Sequence, residues 1–248
     1  MVDPVGVKKA FVKMLHVAMN DARLYFFKWP NVTFGLLLPV IIYLAFLSGQ
    51  PDLSHSVVPG LVAMASLFGA GAIESVSLPL ERAKGTLERL MAAPISLGGI
   101  IMGKIFSGAF FGMVIGAAYS VLVVLLAGQV VPHPVLLATG LAFSSFSFAA
   151  MGACISAPFR DIPEAMPPAT IVRVSMVFVC GTFIPLSSFP PFMQVVAFVL
   201  PLTHGILVLE ASMTVSGWLP ALLPLGMLAV FFLAFTWGAV LLLKRSLP

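Results

Sequence analysis

Apolar residues in this sequence gather into long runs, and the polar residues gather into the gaps between them. Long apolar stretches fall at about Val32–Ser48, Val57–Ser77, Gly103–Ala127, Val135–Ala157, Met166–Ile184 and Leu219–Leu243. Each approaches the roughly 20 residues that an α-helix needs to cross the hydrocarbon of a bilayer. Two further apolar pieces, Phe192–Leu200 and Ile206–Met213, are too short to cross alone, and Pro190, Pro191 and Pro201 bound the first of them. Ahead of all these, Phe11, Leu15, Ala18, Ala22, Tyr25, Phe26 and Trp29 recur with helical spacing, while Lys9, Lys13, His16 and Asn20 repeat on the opposite face. That pattern predicts an amphipathic helix over 5–29, lying in a membrane interface.

Composition agrees with the pattern. Hydrophobic residues make up 60% of the 248 and charged residues only 9%, against roughly 25% charged in a soluble domain. Mean hydropathy is +1.10. The chain therefore reads as one all-α membrane domain over 1–248. The two short pieces could fuse into a seventh, kinked span or form a shallow re-entrant segment over 185–218, and charge separates these possibilities. With six spans and the N-terminus inside, all 13 Lys and Arg fall on the inner side. Seven spans would put Lys244 and Arg245 outside. Six transmembrane helices, cytoplasmic termini and an external re-entrant segment of short helices are the expectation.

Other features change the picture less. The net charge of +4 comes without a basic patch interleaved with aromatics, so no nucleic acid is expected as a partner. No cleavable leader is expected, since the first apolar run begins near Val32 after a charged segment. Cys154 and Cys180 lie in apolar runs and read as buried thiols. Gly108, Gly112 and Gly116 form a small-residue ladder that predicts close helix packing within one protomer. Ser144, Ser145 and Ser147 either line a polar path or bond their own backbone.

One polar gap stands out. Leu78–Met91 carries Glu81, Arg82, Lys84, Glu88 and Arg89 between two spans. As a helix it would set Lys84 four residues before Glu88, with Leu80, Leu87, Leu90 and Met91 as an apolar side. A solvated loop obeying the positive-inside rule is the simpler alternative.

Glu81-Arg82-Ala83-Lys84-Gly85-Thr86-Leu87-Glu88-Arg89-Leu90, followed by Ala93-Pro94-Ile95-Ser96 and Gly103-Lys104, resembles the first cytoplasmic loop of the permease subunits of type-2 ABC exporters. Phe183-Ile184-Pro185-Leu186-Ser187-Ser188 and Pro201-Leu202-Thr203-His204 resemble a later segment of the same family, in the right order and spacing. Glu210 departs from it, because the family carries a basic or amide residue there. The resemblance implies a coupling helix over 78–91, with Glu81, Arg82, Lys84, Gly85, Thr86, Glu88 and Arg89 engaging an ABC ATPase subunit. It also implies a homodimer or heterodimer of permeases in the plasma membrane, surrounded by lipid.

The residues set limits of their own. The sequence has no G-x-x-x-x-G-K-[ST] stretch to cradle nucleotide phosphates, and its four His lack metal-ligand spacing. No catalytic, metal or cofactor residue is therefore expected, and ATP would be hydrolysed by a partner chain. A proton- or sodium-coupled carrier would bury several ionisable residues near the bilayer midplane. Only Glu74 and Arg173 lie within apolar runs here. Arg173 is expected either to pair with Glu74 across two spans or to snorkel back to Asp161 or Glu164. The functional expectation is an ATP-driven export permease; the alternative is a non-transporting scaffold that docks an ATPase.

Overall fold

The computed structural model describes Met19 and residues 37–49, 54–92, 96–128, 130–214 and 217–246. Among these residues the regular structure is helical, with no strand. In chain order the helices are α1 (Leu38–Gly49), α2 (Ser54–Ala83), α3 (Thr86–Ala92), α4 (Leu97–Ala127), α5 (Pro134–Ser156), α6 (Ile162–Val179), α7 (Pro191–Phe198), α8 (Pro201–Met213) and α9 (Trp218–Ser246). Five of them, α2, α4, α5, α6 and α9, are long and apolar enough to cross a membrane. They match the second to sixth predicted spans. Helix α1 falls in the first predicted span, whose start lies outside the described residues. So does the predicted interfacial helix over 5–29, apart from Met19.

Helix α2 is the axis of the bundle. It is 94% buried over its most apolar window, against 39% for α4 and 11% for α9. A helix buried all round must be apolar all round or carry small residues where neighbours approach. Both devices appear. Leu61, Val62, Leu67 and Ile73 are wholly buried, and the ladder of α4 docks on the Ser66–Ala70 stretch. A Cβ on Gly108 would lie 2.9 Å from Ala70 O, and one on Gly112 would lie 2.5 Å from Ala70 Cβ and 3.0 Å from Ser66 O. The ladder thus packs inside one protomer. Ser66 Oγ and Ser145 Oγ share a 2.8 Å hydrogen bond between α2 and α5, and Tyr119 donates to Pro39 O at 3.1 Å, tying α4 to α1. Ser144, Ser145 and Ser147 are all fully buried, within the bundle and not along an open face. Both cysteines are free thiols, Cys180 buried and Cys154 partly so. The outer faces remain apolar, with Phe110, Val121 and Leu125 on α4 and Leu219, Leu223 and Leu233 on α9 exposed. A bilayer requires such an exterior.

Helix boundaries depart from the predicted ones where a polar side chain caps a helix or a charge is paired within the bundle. Helix α2 continues past Ser77 to Ala83, and α4 begins at Leu97, six residues ahead of Gly103, with Ser96 Oγ accepting from Gly99 N at 3.1 Å as its cap. Helix α6 begins at Ile162 in place of Met166, because Asp161 caps it, its Oδ1 accepting from Glu164 N at 3.0 Å.

The re-entrant expectation falls on α7 and α8, which meet at a 90° bend. Pro201 opens α8, and Thr203 and His204 close off α7. Thr203 Oγ1 donates to Ala197 O at 2.6 Å, and His204 Nε2 lies 2.9 Å from Phe198 O. Carbonyls left open at a helix end must find partners in an apolar medium. The Thr-His pair supplies them, and the sharp bend follows.

Replacing Gly112 with Val should therefore lower the melting temperature of the detergent-solubilised protein, because overpacking costs about 1–3 kcal/mol. Gly226→Ala on α9, where a Cβ meets nothing within 4 Å, should leave it unchanged or slightly higher. Equal effects of the two changes would refute the packing assigned to the ladder.

Candidate functional site

The charged stretch forms a junction where five segments meet. Residues 78–91 are not one helix: α2 runs on to Ala83, Lys84 and Gly85 make a turn, and α3 starts at Thr86. Gly85 has φ of 67°, a left-handed conformation that costs other residues energy. Its N–H donates to Arg82 O at 3.0 Å, and Thr86 Oγ1 donates to Glu81 O at 3.1 Å. Two carbonyls freed at the end of α2 are satisfied this way. Leu87, 1% exposed, then pins α3 into the core, with Leu90 and Met91 packed beside it. The break at Gly85 replaces the continuous helix expected from spacing.

Glu81 turns inward. Its Oε2 lies 2.9 Å from Lys104 Nζ on α4, and both side chains are buried. Neither charge would survive there alone; together they cancel most of each other's desolvation penalty. Sequence reasoning placed Glu81 on the partner-facing surface and noted Lys104 only as part of the motif, without its pairing to Glu81. A lysine about two turns into an apolar helix does signal a buried counter-charge.

Arg82 reaches further. Its Nη1 donates to Ala157 O at 2.8 Å and Phe159 O at 3.0 Å, and its Nη2 donates to Ser246 O at 2.8 Å. Ser246 Oγ adds a 3.3 Å bond to the same Ala157 O. The C-terminal ends of α2, α5 and α9 converge here, each presenting unpaired carbonyls and the negative end of its dipole. A planar guanidinium with five donors can serve several of them at once, and a lysine could not match that geometry. Of the expected coupling residues, Glu81, Arg82 and Thr86 thus face the bundle, while Lys84 and Arg89 are exposed. Glu88 contributes its backbone to α3.

The two stray charges take other surroundings than expected. Arg173 sits eleven residues into α6, about 16 Å from its start and deeper than its distance from Met166 implied. Its Nε donates to Ala169 O at 3.1 Å, its guanidinium lies 6.0 Å from the centre of the Phe68 ring, and its Nη1 is buried without a hydrogen-bond partner. The aliphatic stem packs on Gly71, where a Cβ would come within 3.3 Å of Arg173 Cδ. Glu74 turns to the neighbouring face, toward Gly108 and Gly152 and within 3.3 Å of Ser77 Oγ. Arg173 thus meets Ala169, Phe68 and Gly71, and Glu74 meets Ser77, Gly108 and Gly152. Gly71 makes room for this, since its missing side chain lets Arg173 lie along α2 beside Phe68. Among the described residues, no cluster of His, Cys, Asp or Glu is placed to hold a metal ion.

A family model for the membrane part of ABC-2 type transporters matches residues 19–214, from before α1 to just past α8. The chain belongs to the ABC-2 type transporter family. It is a multi-pass permease subunit, a membrane component of a transporter. Nodulation protein J of Bradyrhizobium diazoefficiens is 27% identical over 212 residues, covering 83% of this chain and 75% of that protein. Nodulation protein J of Rhizobium meliloti is 26% identical over 216 residues, covering 84% and 76%. A probable multidrug ABC transporter permease of Escherichia coli, YbhR, is 25% identical over 164 residues, 62% of this chain and 43% of that protein.

In this permease, Lys104→Met should cost about 3 kcal/mol, since it strips Glu81 of its buried counter-charge. Glu81→Met added to Lys104→Met should recover most of the loss, because no charge is then left in the gap. Denaturant unfolding in detergent measures both. A double variant as unstable as the single one would show that the pair is not what Lys104 supports.

Proposed function

We propose that this permease works as a pair of copies, identical or not, which form an export path through the plasma membrane. Separate ABC ATPase chains bind each copy at Lys84, Gly85 and α3. The divided charged stretch carries this reading. Its inner residues, Glu81, Arg82 and Thr86, fasten α3 and the end of α2 to α4, α5 and α9. Its outer residues, Lys84 and Arg89, are left for a partner. A push on α3 then reaches four helices without bending any of them. Gly85 supplies the sharp break that lets α3 turn aside from α2, and Glu88 adds a carboxylate to α3 for the same contact.

Two copies are needed because α2 fills the centre of one. A path cannot run through a packed axis, so it lies between bundles. The energy comes from ATP hydrolysed elsewhere, since the sequence lacks a phosphate-cradling loop. Such a partner moves the permease only if it contacts α3 differently in its nucleotide states. Both termini lie on the cytoplasmic side, and the α7–α8 bend lies outside, because that arrangement keeps every Lys and Arg inward.

Exchanging Lys84 and Arg89 for Glu together should weaken ATPase binding by about tenfold at low salt and less at high salt. Stability should change by no more than about 0.5 kcal/mol, since both residues are exposed. Titration of the purified permease with its ATPase checks this, and unchanged affinity would reject the docking surface. An ATPase that binds but whose turnover is never raised would favour the scaffold function.

Orientation is tested by cysteine labelling in a background lacking Cys154 and Cys180. His133→Cys and Ser187→Cys should react with an impermeant maleimide on intact cells. Asp161→Cys and Arg245→Cys should react only after permeabilisation. Labelling of residue 245 from outside would overturn the six-span arrangement.

A further inference from the structure

We propose that the end of the bundle opposite the charged junction binds an organic cation with an apolar body. A cavity of about 370 Å³ opens there between the start of α2, the connection after α6, and α8. Its walls are largely apolar, with Pro59, Phe183, Leu186 and Ile206 among them. Its volume falls within the roughly 300–1,000 Å³ of sites that take drug-sized molecules.

Two polar groups mark it as a site and not a packing gap. The first is Glu210, exposed on α8 and, among the described residues, the only charged one that lines the cavity. Among those residues no lysine, arginine or histidine shares the lining. A carboxylate beside apolar walls attracts a cation more strongly than it would in open water, and repels an anion by the same physics. The second is Thr182, 1% exposed, whose hydroxyl has no hydrogen-bond partner among the described residues. Leaving a buried hydroxyl unpaired costs about 1–3 kcal/mol. The chain does not relieve it by moving Thr182, because the Thr182 carbonyl rests against Gly60, where a side chain would collide with it. Gly181, with φ of 86°, turns the connection into this position.

These features choose among ligands. A divalent metal needs several oxygen donors, and a single carboxylate among apolar walls does not supply them. A neutral lipophile would make no use of the Glu210 charge. A lipophilic cation answers both polar groups: its charge meets Glu210, an acceptor on it meets the Thr182 hydroxyl, and its body meets Phe183, whose ring face also attracts cations. That the bound cation is exported cargo rests on the transport reading above; that it binds does not.

The test is equilibrium dialysis of the full chain in zwitterionic lipid nanodiscs, without any ATPase. The probes are tetraphenylphosphonium and tetraphenylborate, nearly identical in shape and opposite in charge. Saturable tetraphenylphosphonium binding is expected, with tetraphenylborate bound about tenfold more weakly. Glu210→Gln should weaken the cation about tenfold, and Glu210→Lys should abolish its binding. Ile206→Trp, which fills the cavity, should lower binding while leaving the charge in place. Equal binding of the two ions, uptake that does not saturate, or affinity unchanged in Glu210→Gln or Ile206→Trp would overturn the proposal. Failure here with ATPase stimulation intact removes the cavity alone. Binding that persists when no ATPase is ever stimulated removes the export reading alone.

Discussion

Arg82 and its three carbonyl partners hold the charged end of this bundle together. Where the last turns of several helices pack together, a carbonyl freed at a C-terminus and shielded from water must find a donor within the protein. Helices α2, α5 and α9 all end at this place. One guanidinium closes Ala157, Phe159 and Ser246 together, and the adjacent Glu81–Lys104 pair fixes α4 to the same point. The charges of the motif thereby convert three frayed ends into one rigid block. Removing water strengthens these contacts, because an unpaired donor or ion there has nothing to fall back on.

Rigidity at this block gives α2 its part in the proposed mechanism. The helix is packed along its whole length by the glycine ladder of α4 and by α5, and a close-packed axis transmits displacement without absorbing it. Motion entering through α3 is then a rigid-body tilt of the bundle, the kind of change that alters an interface between two copies. At the far end, α2 begins beside the connection after α6 and beside α8. The same tilt therefore reaches the neighbourhood of Glu210. In the proposed mechanism the charged junction and the opposite cavity are two ends of one lever.

The sequence by itself determined the place and order of five crossing helices. A bilayer imposes a length of about 20 apolar residues on each span and expels charge from it, so the second to sixth predicted spans were legible and α1 falls within the first. The ladder of Gly108, Gly112 and Gly116 was legible as packing for a similar reason, since spacing by four places small residues on one face. The Glu81–Leu90 motif was legible as a junction. Its burial was not, because a charge in sequence looks like a charge in water. Lys104 was read as the entry to its span, and it lies buried there because Glu81, 23 residues earlier, arrives from another helix. Arg173 likewise lies beside Phe68 and Gly71 on α2, neighbours that only folding brings to it. Local periodicity fixes which faces are apolar. Which polar groups meet inside the bundle depends on distant segments whose pairing has no local signature, and tertiary structure alone decided it.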